Sequence, residues 1–102
     1  MTRLSAESRY EQTKKNTESQ YAILLQEWEK YRASLNYYQQ SALPQAALIL
    51  KHADKAYRSG DIGYVEYLQG LNTATALQVG YLETLNNYNQ SVLRIEFIQG
   101  QL

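Results

Sequence analysis

Few side chains in this sequence could do chemistry, and they are thinly spread. The only histidine, His52, stands near Asp54 and Asp61. A metal ion held there would need two or three more converging ligands, and the spacing of His52 to either aspartate does not supply a ligand set. A lone helical histidine of this kind reads as a solvated surface residue with no ligand role. Nucleophilic catalysis needs a nucleophile held by a base, and no such arrangement is visible. Glu27, Glu29, Glu66, Glu83 and Glu96 are scattered and read as solvent-facing or ion-paired. Gly60-x-x-Gly63 is too short for a phosphate-binding loop and is flanked on both sides by helical pattern. These residues point away from an enzyme, a bound cofactor or a metal centre.

The informative stretch is a short polar turn, Tyr57-Arg58-Ser59-Gly60-Asp61-Ile62-Gly63-Tyr64-Val65-Glu66-Tyr67-Leu68, set between two long amphipathic patterns. It predicts the tip of a helical hairpin. Gly60 is the residue expected to reverse the chain, because tight helix-ending turns often need a positive φ.

The rest of the composition bounds the molecule. At 102 residues the chain is one small domain. Its formal net charge is zero, which argues against binding nucleic acid, since neutralising phosphates requires excess basic charge. Cysteine is absent, which excludes disulfides and thiolate metal sites and fits the periplasm and the cytosol alike. No run approaches the roughly 18 apolar residues of a membrane-spanning helix, and the N-terminal residues carry no signal-peptide pattern. Ten of the aromatic residues are tyrosines, with one proline and five glycines in the whole chain. That composition suits long helices with amphipathic aromatic contacts.

Residues 1–20 are polar on nearly every face, and only Leu4, Ala6 and Tyr10 could pack. They read either as a helix frayed or supported by a partner, or as a disordered leader. From Tyr21 a seven-residue series appears: Tyr21, Trp28, Leu35, Ala42, Ile49 and Ala56, with Leu24, Tyr31 and Tyr38 between. Pro44 interrupts it, so a kink or break is expected near residues 41–44, with Ser41 as the candidate N-cap of a restarted helix. The second pattern carries Tyr67, Ala74, Tyr81, Tyr88 and Ile95, interleaved with Leu71, Gln78, Leu85 and Val92 and widened by Leu68 and Leu82. Gly70 and Gly80 inside it either permit close backbone approach or are simply tolerated, at about 1 kcal/mol each relative to alanine. Gly100 marks the expected stop.

These patterns predict an all-α chain: a long antiparallel, coiled-coil-like hairpin whose first helix bends near Pro44. The expected layout is a polar overhang over 1–20, a helix over 21–58, a tip turn over 59–63 and a helix over 64–98. Ile98 then falls near Leu24. Tyr21, Tyr31, Tyr38, Tyr67, Tyr81 and Tyr88 lie on packing stripes, their hydroxyls at the edge. Both stripes are wider than a two-helix seam requires, so further helices are expected alongside, and the chain is expected to self-associate.

The segment from Tyr37 to Gly100, about two-thirds of the chain, resembles the C-terminal helical region of TolC-like outer membrane efflux proteins. The likeness is carried by Tyr57-x-x-Gly60, by Glu66 six positions after the glycine and Leu68 two further on, and by the helix containing Leu85-x-x-Tyr88-x-x-x-Val92. Tyr37-Tyr38, then Ala42-Leu43-Pro44-Gln45-Ala46, then Gly60 to Tyr67, look most like the TolC-like segments attached to CzcA/CusA-type heavy-metal transporters of the RND class. The resemblance implies a periplasmic hairpin from a trimeric outer membrane channel, itself outside the membrane, whose tip meets a periplasmic adaptor or an inner-membrane pump. It makes Tyr57, Ser59, Gly60, Asp61, Ile62, Tyr64 and Glu66 the candidate partner-binding residues, with Ser59, Asp61 and Ile62 projecting and Tyr64 and Glu66 orienting the tip. The chain departs from the family in lacking β-barrel strands and a second hairpin. A different class of reading is a freestanding coiled-coil scaffold. A third, the hairpin of an adaptor protein, would need flanking lipoyl-like β halves, and nothing in the sequence suggests them.

Overall fold

The computed structural model describes the backbone of residues 2–101 and the side chains of residues 7–101. Helix α1 spans Thr2–Tyr37, a π-helical turn covers Tyr38–Ala42, and α2 continues over Leu43–Ser59. The chain then reverses, and α3 returns over Tyr64–Gln99. The result is an all-α antiparallel hairpin, 83 × 21 × 15 Å, with a radius of gyration of 23.2 Å. A compact domain of this length would have about 13 Å.

The break expected near Pro44 is a change of winding within one continuous rod. The Leu43 N–H donates to the Tyr38 carbonyl, five residues back, and Pro44 opens the α-helical winding that follows. Proline has no N–H for the ladder, and its ring clashes with the carbonyl four residues earlier. The wider π-turn relieves both problems just upstream. Ser41 is therefore not an N-cap. It lies inside the π-turn, and Ala42, at φ −68 and ψ −44, holds the cap position in helical conformation with no side-chain hydrogen bond.

The π-turn also shifts the packing seam. Up to Tyr38 the half-buried positions follow the heptad, with Leu24, Tyr31 and Tyr38 in one series. The main series continues as expected through Ala42, Ile49 and Ala56, all buried or half-buried, whereas the other series would continue to Gln45 and His52, which are exposed, with Ala46 and Ala53 buried instead. The π-turn widens the winding locally, and that one series moves by one position. Deleting Gln40 would remove the residue that the π-turn accommodates and place Pro44 in regular α-helix, at a cost of about 3 kcal/mol. Deletion of Gln40 together with Pro44→Ala should recover most of that loss. Thermal melts of the two variants check this; equal instability of both would contradict the assignment.

On α3 the first series stands as expected, with Tyr67, Ala74, Tyr81, Tyr88 and Ile95 all at least half-buried. The second series differs. Its expected members Leu71, Leu85 and Val92 are half-buried, but Gly70, Leu77, Thr84, Ser91 and Ile98, three residues after each member of the first, share the seam with them. Gln78 is exposed. Leu82, expected to widen the seam, is 59 % exposed on the far side of the helix, and Leu68 sits at its margin.

The core is narrow and built from small residues. Ala42, Ala46, Ala53, Ala74 and Ile98 are its buried apolar members, and the Ser91 hydroxyl donates to the Tyr88 carbonyl at 2.7 Å, so its burial leaves no polar group unpaired. Small residues let the backbones approach closely but bury little area. Gly70 and Gly80 both serve that approach. A Cβ on Gly70 would lie 3.1 Å from the Ala53 Cβ, and one on Gly80 would lie 2.5 Å from the Tyr38 hydroxyl oxygen.

At the open end, Ile98 is buried, Gln99 Nε2 donates to Tyr21 Oη at 3.2 Å, and Arg94 pairs with Glu27 at 3.5 Å. Residues 2–20 form helix, which corrects the reading of a disordered leader. Of the described residues up to Gln20 only Thr17 is half-buried, and Gln101 lines one recess with Tyr10, Thr13, Lys14 and Thr17. Tyr10 itself is exposed, and Leu4 and Ala6 lie outside the described side chains.

Candidate functional site

The tip is formed by the residues that end α2 and start α3. Gly60 has φ 83 and ψ 5, the one positive φ among the described residues. Its N–H donates to the Tyr57 carbonyl at 3.2 Å, and the Asp61 N–H donates to the Ala56 carbonyl at 2.9 Å. These two bonds are the Schellman motif, which satisfies carbonyls that the helix end leaves free. The Ala56 carbonyl also accepts from Ser59 Oγ at 3.1 Å and from the Ile62 N–H at 3.4 Å. With the Gly60 N–H, which also reaches it, this one carbonyl gathers four donors and fixes the turn.

The chain leaves the turn through Gly63, at φ −85 and ψ 178, and enters α3 without a side-chain cap. Three tyrosines tie the strut of α2 to the start of α3. Tyr57 stacks on Tyr67 with ring centroids 4.7 Å apart and planes at 21°, and Tyr64 lies 6.3 Å from Tyr57 at 55°. Aromatic pairs in these geometries are worth about 0.5–1.5 kcal/mol beyond area burial. Arg58 and Asp54 form an exposed pair one helical turn apart, at 3.2 Å.

Of the candidate tip residues, Asp61 is exposed at the apex. Ser59 is exposed too, with its hydroxyl bonded to the helix end, whereas Ile62, expected to project, is half-buried. Tyr64 braces the tip as expected, through its ring. Glu66 is exposed in the first turn of α3, where a carboxylate complements the helix dipole. Two residues belong to the tip that the sequence did not single out there. Tyr67 makes the stacked contact, and Val65 is 67 % exposed beside it. Tyr67 was legible as a seam residue, but its partner across the turn was not.

His52 is exposed on the body of α2, and among the described residues no group of three or more His, Cys, Asp or Glu side chains could hold a metal ion. No described helix is long and apolar enough to cross a membrane. The geometry offers shape and charge at a braced tip. No protein-family model, curated protein or solved structure matches the chain.

Proposed function

We propose that this chain is a periplasmic helical hairpin of a TolC-like outer membrane channel in a tripartite efflux system for heavy-metal cations. Its tip docks on a periplasmic adaptor or on the RND-class pump, and it carries out no catalytic step itself. The reading is supported by the ordered motif set from Tyr57 to Val92 and by the hairpin fold. The observation that carries it is the tip: a turn held by a full Schellman motif and a tyrosine stack, with Asp61 and Val65 left exposed. In the channel, copies of the hairpin stand side by side, as the family's trimers do.

The test is metal-cation tolerance in cells carrying substitutions in the chromosomal gene. Asp61→Arg should weaken docking by about tenfold or more through charge reversal at a contact, and tolerance should fall. The same change should leave helicity and melting temperature near those of the parent chain, because Asp61 makes its structural bond through its backbone N–H. His52→Ala should leave tolerance unchanged. Loss of tolerance with His52→Ala and none with Asp61→Arg would reverse the reading and assign metal handling to the helix body.

The scaffold reading is favoured by one specific observation, an apolar face of α3 that points away from the hairpin.

A further inference from the structure

Toward the open end of the hairpin, α1 and α3 leave a recess of about 280 Å³ between them. Tyr21, Leu25 and Trp28 line it from α1, and Val92, Ile95 and Glu96 line it from α3. At 1.5 Å of rise per residue from Trp28 to Gly60, it lies roughly 50 Å along the rod from the turn. Among the described residues that line it, Glu96 alone is charged, and most of the others are apolar or aromatic. Its two rings are held in place. Gln99 Nε2 donates to Tyr21 Oη at 3.2 Å, and the Arg32 guanidinium lies over the Trp28 ring, 5.3 Å from its centroid.

The neighbouring charges are already matched. Arg32 pairs with Glu29 at 3.2 Å and Arg94 with Glu27 at 3.5 Å, so neither pair brings net charge to the recess. Lys30 lies over the Tyr31 ring and does not line the recess. Glu96 makes no ion pair or side-chain hydrogen bond among the described residues. One unmatched carboxylate thus stands at the edge of an apolar recess that holds two aromatic rings.

We propose that this recess binds a small organic cation with an apolar body, of the aryl- or alkylammonium class. The faces of Trp and Tyr rings attract a cation, and Trp28 already does so with Arg32. Leu25, Val92 and Ile95 accept the apolar body, and Glu96 supplies the opposite charge. The volume is just under the roughly 300–1,000 Å³ of ordinary ligand sites, which limits the ligand to about one ring and its ammonium group. A neutral molecule gains nothing from Glu96, and an anion is repelled by it. A bare metal cation is a poor match, because one carboxylate is far short of the oxygen ligands such an ion collects. The site does not rest on the channel reading: the metal-tolerance assay tests the tip, and the titration below reads the other end of the rod.

The experiment is a titration of the whole chain with benzyltrimethylammonium chloride, read by the emission of Trp28, the only tryptophan in the sequence. A saturable change is expected, with a dissociation constant of about 1 mM, the affinity that ten or so non-hydrogen atoms give at ordinary ligand efficiency. Glu96→Gln should raise that constant about fivefold, the upper end for an exposed charge pair. Glu96 is exposed, so the variant keeps the fold. Glu83→Gln removes the same charge from α3 about 20 Å away and should leave the constant unchanged. Benzyl alcohol, which carries the ring without the charge, should bind at least fivefold more weakly than the cation. A response that does not saturate, equal affinity for benzyl alcohol, an unchanged constant in Glu96→Gln, or an equal loss in Glu83→Gln would overturn the proposal.

Discussion

Gly80→Val is expected to destabilise the hairpin by about 2–3 kcal/mol, the upper part of the range for overpacking a close contact. Any Cβ at this position meets the Tyr38 ring at three atoms, 2.5, 3.0 and 3.1 Å away. A shift of Tyr38 would disturb its edge-on contact with Tyr37 at 5.6 Å and its tilted contact with Tyr81 at 6.5 Å. It also begins the π-turn, so moving it disturbs the segment that sets the seam for all of α2. The gain of about 1 kcal/mol from replacing a mid-helix glycine does not offset this, and valine's β-branch reduces that gain further. A double-mutant cycle with Tyr38→Ala isolates the contact. Removing the ring should make Gly80→Val nearly neutral, an interaction energy of about 2 kcal/mol. Additive losses in the cycle would show that Gly80 is not kept open for Tyr38. Gly70→Ala is the internal control, because its Cβ would meet the Ala53 methyl at 3.1 Å, a contact that a shift of a few tenths of an ångström relieves.

Gly60→Val should cost about 1–3 kcal/mol at the tip, for a different reason. Nothing lies within 4 Å of a Cβ built there, so the penalty is entirely the positive φ of 83°. A β-branched residue resists that region, and escape from it would break the Gly60 and Asp61 bonds to the Tyr57 and Ala56 carbonyls. For a domain of this size each 1 kcal/mol lowers the melting temperature by roughly 4–8 °C. Gly60→Asn should lose much less, because asparagine tolerates the left-handed region. The readout is a set of thermal melts with hydrogen exchange at the Asp61 amide. Equal losses for valine and asparagine would show that space rather than backbone conformation makes glycine necessary.

The two glycines differ in how far the sequence exposed their roles. Gly60 stands in a polar turn between two apolar periodicities, and that local context predicts the conformation found. Gly80 sits in a helix interior, where close approach and plain tolerance look alike until the Tyr38 ring is placed against it. The tip residues divide in the same way. Gly60 and the ring of Tyr64 act as the turn chemistry suggests, whereas Ser59 folds back onto the Ala56 carbonyl because a helix end leaves that acceptor free.

Helical content, the reversal near Gly60, the antiparallel register and the series from Tyr67 to Ile95 are written in the order of residues alone, because periodicity, turn propensity and chain connectivity are local properties. The series through Ala42, Ile49 and Ala56 is written there too, but the second series beyond Tyr38 is not. The π-turn moves the seam from Gln45 and His52 to Ala46 and Ala53, and a one-residue change of winding leaves the composition of the stripe unaltered. Which face of α3 meets α1 and α2 was likewise decided in three dimensions. Apolar residues lie around much of that helix, and the hairpin closes on the face where Gly70, Ala74, Gly80 and Ser91 let two backbones come together, leaving Leu82 and Leu93 outside.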